Sequence, residues 1–248
     1  MIVDVQGVSD IGLRRSQNED QLAWWVSEDG GDPAAVLVVA DGMGGANAGE
    51  VASQLAVARI LEGARALGPE AEPADLRHVI EDANRVVHQE SLAHPERHGM
   101  GTTCTTVLLL DHTALIGHVG DSRAYLVRGS AIRQLTRDHS LVAQLVELRH
   151  LTPEQARVDP RRNVVTRSLG VGSQLEVDTV SVPLESGDTL LVSTDGLHGL
   201  IDDEELRQHA AVEDLARAAK ALVELARQRG GPDNITVVLS RVTFGPSR

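Results

Sequence analysis

Apolar runs in this chain repeatedly end on, or begin after, an aspartate that sits beside a small or polar residue. V-L-V-V-A leads into Asp41-Gly42, A-L-I-G-H-V-G into Asp121, and T-L-L-V-S-T into Asp195-Gly196. Asp233-Asn234 stands immediately before I-T-V-V-L, and Asn18-Glu19-Asp20 stands before another strand-like run. Ends of strands in a packed sheet are rigid, and glycine lets backbone approach a ligand closely. Carboxylates that are brought together repel one another, and some stay protonated unless a cation separates them. A donor set made of oxygen, without cysteine, suits Mg²⁺, Mn²⁺ or Ca²⁺ over zinc or copper. One Asp-Gly or Asp-Asn step alone reads as turn chemistry. Several of them at apolar strand ends point to a metal cluster.

The remaining pattern sets a fold class. Strands are expected at 2–8, 21–27, 34–40, 103–110, 113–119, 123–128, 131–136, 175–182, 188–194 and 234–243. Helices are expected from Asn47, as N-cap with Glu50 three residues on, to Glu62, from Pro73 to Ser91, and over 212–229 before Gly230-Gly231-Pro232. Strands come in runs with helices in pairs between them, which is α+β layering. Two-residue joins at 111–112 and 129–130 indicate antiparallel hairpins. Aromatic residues make up only 2% of the chain, so the core is built from Val, Leu, Ile and Ala. No linker is apparent, and residues 1–248 read as one domain. The polar stretch 138–165, with Pro153 and Pro160, reads as an insertion or flap.

Charge and cysteine usage exclude several functions. The formal net charge is -13, against the basic face that nucleic-acid binders carry and against an anionic membrane surface. The scarcity of aromatics leaves little for base stacking. The single cysteine, Cys104, lies in an apolar run and permits neither an internal disulfide nor a cysteine zinc site. The N-terminus lacks the basic and long apolar segments of a signal peptide. No apolar run approaches the roughly 20 residues that span a bilayer. A cytoplasmic protein is the expectation.

The motifs then align with a known family. S-D-I-G-L-R-R-S-Q-N-E-D at 9–20, V-A-D-G-M-G-G at 39–45, G-M-G-T-T at 99–103, G-D-S-R at 120–123, S-T-D-G-L at 193–197 and G-P-D-N-I-T-V-V at 231–238 follow one another in family order. In these the chain resembles the PPM family of metal-dependent protein phosphatases, the type-2C serine/threonine phosphatases, in their compact bacterial form. The resemblance implies a central β-sandwich of two antiparallel sheets flanked by pairs of helices, in α-β-β-α layers. It implies hydrolysis of phosphoserine and phosphothreonine in proteins by a metal-bridging hydroxide, in opposition to serine/threonine kinases. It assigns Asp41 as the ligand that bridges two Mn²⁺ or Mg²⁺ ions, with the Gly42 carbonyl on one of them. Asp195 and Asp233 complete the other ion, Glu19 and Asp20 hold metal-bound waters, and Asp121 serves a third, weaker ion shared with Asp195. Arg15 corresponds to the arginine that grips the substrate phosphate, as a guanidinium can with two parallel hydrogen bonds. The protein is expected to act as a monomer on phosphorylated proteins.

One position departs from part of the family. Some members carry a histidine, proposed as general acid, where this chain has Met43. His98, His118, His139 and His198 lie near motifs and read as surface or packing residues. Arg149, Arg161 and Arg162 of the flap are candidates for substrate contact, set against a solvated loop. Three competing readings are a regulatory module that kept the fold without turnover, a phosphatase of an anti-sigma-factor antagonist, and a phosphatase of small phosphoesters. The intact Asp41, Asp195 and Asp233 weigh against the first, and the absence of room for a sensor domain against the second.

Overall fold

The computed structural model describes residues 1–28, 31, 33–45 and 48–245. Two antiparallel sheets stack face to face. One has the strand order β1 (Ile2–Asp10), β11 (Ile235–Thr243), β10 (Thr189–Ser193), β7 (Arg123–Arg128), β8 (Ala131–Gln134). The other runs β2 (Asp20–Val26), β3 (Ala35–Met43), β5 (Cys104–Leu110), β6 (Thr113–Val119), β9 (Asp178–Pro183), with the short β4 (Gly101–Thr102) pairing with the end of β3. Helices α1 (Ala48–Arg65) and α2 (Pro73–Ala93) cover the second sheet, and α5 (Asp195–His198), α6 (Asp203–Ala210) and α7 (Leu215–Gln228) cover the first. Two further helices, α3 (Leu141–Glu147) and α4 (Pro153–Val158), lie in the 138–165 segment. This is the α-β-β-α layering expected from the sequence.

The side-chain period of two explains the layers. In β3, Val36, Val38 and Ala40 face the α1–α2 layer, while Ala35, Leu37 and Val39 face the other sheet. Such a strand is buried on both faces and reads as a continuous apolar run rather than an alternation. In β11, Val238 and Val242 point between the sheets, while Ile235, Val237 and Leu239 point at α5–α7. The tight hairpins fall where expected: Leu110 pairs with Thr113 and Arg128 with Ala131.

Boundaries differ from expectation for physical reasons. The expected strand 103–110 breaks at Thr103, whose N–H and hydroxyl both turn to the backbone of Asp41. The strand expected over 131–136 ends at Gln134, and that over 175–182 begins only at Asp178. The last helix begins at Leu215 rather than 212, because the Asp214 side chain caps it by accepting from the Arg217 N–H. Helix α6 was not anticipated; it starts on a capping box between Asp202 and Glu205. The Asn47 N-cap lies outside the described residues, and the helix itself runs three residues past Glu62.

Candidate active site

The acidic residues named from the sequence meet at one end of the sandwich. Asp20 opens β2 and lies directly opposite Asp41 of β3 in the antiparallel register. Directly opposed residues share a face with Cβ atoms roughly 4.5–5.5 Å apart, and like charges there are destabilising. Asp195 caps the end of β10 as the first residue of α5, and Asp233 precedes β11. Since β10 and β11 are antiparallel neighbours, their ends place Asp195 and Asp233 together. Asp121 follows β6 at the same end.

Burial and mutual repulsion act on these carboxyls together. Asp41 is held well above the ordinary carboxylate range, first by burial and then by the charges of Asp20, Asp195, Asp121 and Asp233. Burial, assisted by Asp195 and Asp233, pushes Asp20 up to about 7 against the hydrogen bond from the Thr194 hydroxyl. Burial and the charge of Asp195 push Asp121 up to about 8. Asp195 rises to about 6 through burial and Asp233, partly countered by Arg15, Arg162 and Arg123. Glu19 is raised chiefly by burial. Asp41 and Asp195 lie deep among protein atoms yet keep part of their surface open to solvent.

The surroundings hold the backbone of this end in place. Thr102 Oγ1 donates to the Asp41 carbonyl at 2.9 Å, and the Asp41 N–H donates to Thr103 Oγ1 at 2.9 Å. Thr103 Oγ1 also meets Ser122 Oγ at 2.7 Å, which links the Asp41 and Asp121 positions through hydroxyls. The Asn234 side chain accepts from the Glu19 N–H and donates to the carbonyls of Ile11 and Gln17. Gly42 has no room for a side chain, since a Cβ would stand 2.1 Å from the Gly49 carbonyl oxygen in the first turn of α1. Arg15 is half exposed and donates to Asp233 Oδ2 at 2.8 Å.

An oxygen-only donor set with buried, mutually repelling carboxyls fits a hard divalent cation. Asp20 adds a specific mark. Its Oδ2 accepts from Thr194 Oγ1 at 2.8 Å, while its buried Oδ1 has no hydrogen-bond partner. Among the described residues, no three His, Cys, Asp or Glu side chains are already drawn into a group that could hold a metal ion. Two of the acids turn to donors of their own: Asp20 to Thr194, and Asp233 to Arg15 and the Asn234 N–H.

Sequence reasoning missed the polar scaffold, namely Thr102, Thr103, Thr194, Asn234 and the half-buried Arg123, which grips Asp138 through Nε and Nη2. The only signal was their place beside the acids in the same motifs. His118, His139 and His198 are buried and hydrogen-bonded, in keeping with a packing role, and their imidazoles are held below the ordinary value, chiefly by burial. Arg161 is committed to Asp159 within its own segment, whereas the charge of Arg162 reaches Asp195.

The family model for protein phosphatase 2C matches residues 13–239. The chain is 36% identical over 243 residues to protein phosphatase PhpP of Streptococcus pneumoniae, covering 96% of both. It is 37% identical over 237 residues to the serine/threonine phosphatase stp of Listeria monocytogenes, covering 93% of this chain and 92% of that one. A solved structure of the catalytic domain of the serine/threonine protein phosphatase PstP, in complex with two manganese ions, superposes with a TM-score of 0.87 at 33% identity, over 98% of this chain and 99% of that one. The fold and the acidic end thus define a phosphatase of the sandwich type. The chain belongs to the protein phosphatase 2C family and is a protein serine/threonine phosphatase.

Proposed function

We propose that Asp41, the Gly42 carbonyl, Asp195 and Asp233 hold two Mn²⁺ or Mg²⁺ ions, that Glu19 and Asp20 order water around them, and that Asp121 with Asp195 takes a third. The observation that carries this reading is the Asp20–Asp41 pair: two opposed carboxyls at the rim of a buried sheet, one with an oxygen that no protein group satisfies. The two manganese ions of the PstP domain support it. When bound, such ions make a water acidic enough to attack near neutral pH and offset charge on the phosphate.

The chain's own residues supply positioning, which is most of what phosphoryl transfer needs from a protein. Arg15, at the rim beside Asp233, presents a guanidinium to the phosphate. Thr194 orients Asp20, and Thr102 and Thr103 fix the Asp41 backbone, so the acids are held before substrate arrives. Met43 has no proton to give, and His118, His139 and His198 are buried and hydrogen-bonded within the fold, so the leaving alkoxide takes its proton from water. Residues 1–248 act as one catalytic domain with 138–165 as a flap over the site. The enzyme works as a monomer in the cytoplasm, on proteins phosphorylated by a serine/threonine kinase. No helix among the described residues is long and apolar enough to cross a membrane.

The test is phosphate release from a phosphothreonine peptide with Mn²⁺, with EDTA, and with Asp233→Asn. Turnover that needs Mn²⁺ and disappears with EDTA or in the variant supports the reading. Mn²⁺ binding without turnover by the pure wild-type protein favours the regulatory-module reading instead.

A further inference from the structure

The turn that carries Asp121 is held from the flap. Gly120 adopts a φ of +107°, and a Cβ there would come within 2.6 Å of Thr103, so the turn is both left-handed and tightly enclosed. Both backbone groups of Gly120 are taken by one residue. The Gly120 N–H donates to His139 Nδ1 at 3.0 Å, and the His139 N–H donates to the Gly120 carbonyl at 2.7 Å. Because Nδ1 accepts, the ring proton sits on Nε2, which lies 3.2 Å from Asp178 Oδ2 on β9. Arg167 Nη1 lies 3.0 Å from the same nitrogen, donor facing donor, and is held there because it bonds Asp178 Oδ1 at 2.7 Å. Burial lowers the imidazole pKa and keeps this neutral tautomer.

His139 also belongs to the stem of the flap. Its carbonyl accepts from the Thr166 N–H at 2.8 Å, Ser140 bridges to Val165, and the Leu141 N–H donates to the Val164 carbonyl at 2.8 Å. A cavity of about 170 Å³ opens beside it, lined among others by Gln144, Glu147, Thr166, Arg167 and Asp178. The ring therefore does not simply fill a core; it spans from the flap stem to the turn.

We propose that His139 is a positioning residue that ties the Gly120–Asp121 turn to the stem of the flap and so holds the Asp121 carboxylate where the third metal ion binds. This rests on the reading of Asp121 as a ligand of that ion. Supporting partners of this kind typically change metal affinity about tenfold to 100-fold when removed.

The test is Mn²⁺ binding by titration calorimetry for the wild type, His139→Ala, His139→Asn and Asp121→Asn, each checked for folding by melting in EDTA. Asparagine places its Oδ1 where Nδ1 lies and keeps an acceptor for the Gly120 N–H. The expected result is that D121N loses the weakest Mn²⁺ step, H139A weakens that step by about tenfold or more while sparing the tighter ones, and H139N recovers most of the loss. If D121N loses the step while H139A binds like the wild type, or if H139N is as weak as H139A, the positioning role is overturned. If D121N changes nothing, the reading of Asp121 itself falls, and this inference with it. Should H139A not fold, H139N against His139→Gln decides. Glutamine reaches toward Asp178 but leaves the Gly120 N–H without an acceptor, so the proposal expects H139Q to be weak, and equal affinities contradict it.

Discussion

Strand β10 has an aspartate near each end, and the two are treated oppositely. Asp188, just before the strand, is buried and receives Arg128 through Nε at 2.8 Å and Nη2 at 2.6 Å, together with the Glu185 N–H at 2.8 Å. Asp195, just after the strand, has Asp233 and Asp121 as electrostatic neighbours and no arginine bonded to it among the described residues. A buried charge is tolerated only when paired and hydrogen-bonded. At one end the chain supplies the cation itself and the result is structure. At the other it withholds one, and the buried carboxyls are left to repel one another, which is the charge that the proposed metal ions would offset.

The contrast is broken most severely by neutralising one acid at each end. Asp41→Asn is expected to lose roughly 100-fold or more of its Mn²⁺-dependent turnover. It is also expected to melt higher than the wild type in EDTA, because a buried carboxyl that must either repel its neighbours or hold a proton is gone. Asp188→Asn is expected to keep its turnover and lose about 1–3 kcal/mol of stability by calorimetry, since Arg128 is left with a weakened partner. Opposite signs in EDTA melting are the essential outcome; a D41N protein destabilised as much as D188N would end the comparison.

The pH dependence of the metal-free protein sharpens it further. Asp20 at about 7 and Asp121 at about 8 bind protons more tightly folded than unfolded. Their contribution is therefore fully present below about pH 4, the ordinary carboxylate value, and is lost progressively as pH rises from there through those folded values, with the end of the loss between pH 7 and 8. The buried histidines act in the opposite direction, but only below their ordinary value of about 6.5. In EDTA the melting temperature should thus fall between pH 7 and 8, and saturating Mn²⁺ should flatten that slope. A metal-free melting temperature that rises over this window contradicts the assignment. The smallest expected effect is Arg15→Lys, which keeps the charge and loses the paired donors. Its kcat/KM for a phosphothreonine peptide should fall by about tenfold, roughly 1.4 kcal/mol, with Mn²⁺ affinity unchanged.

The acidic end was legible because each ligand candidate marks the edge of an apolar run, and a run that must be buried fixes where its last residue stands. Val36 to Ala40 could only be an inner strand, which placed Asp41 at a rigid rim. The scaffold around it was not legible. Thr103 is an unremarkable strand residue until its hydroxyl is seen between Asp41 and Ser122, and that contact joins residues 62 positions apart. His139 read as packing for the same reason, since its partners Gly120 and Asp178 come from two other strands' ends. Helix α6 was missed because D-E-E-L-R-Q-H-A offers few apolar positions, and only Leu206 and Ala210 are buried. Local pattern sets the elements, whereas long-range polar contacts become visible only once the layers are stacked.

The most direct measurement is Mn²⁺-dependent phosphate release from a phosphothreonine peptide by the wild type, Asp195→Asn and Asp188→Asn, at temperatures where all three are folded. The account predicts turnover that EDTA abolishes, that D195N lacks at any Mn²⁺ concentration, and that D188N retains. Turnover that survives EDTA, or a D195N protein as active as the wild type, would contradict it.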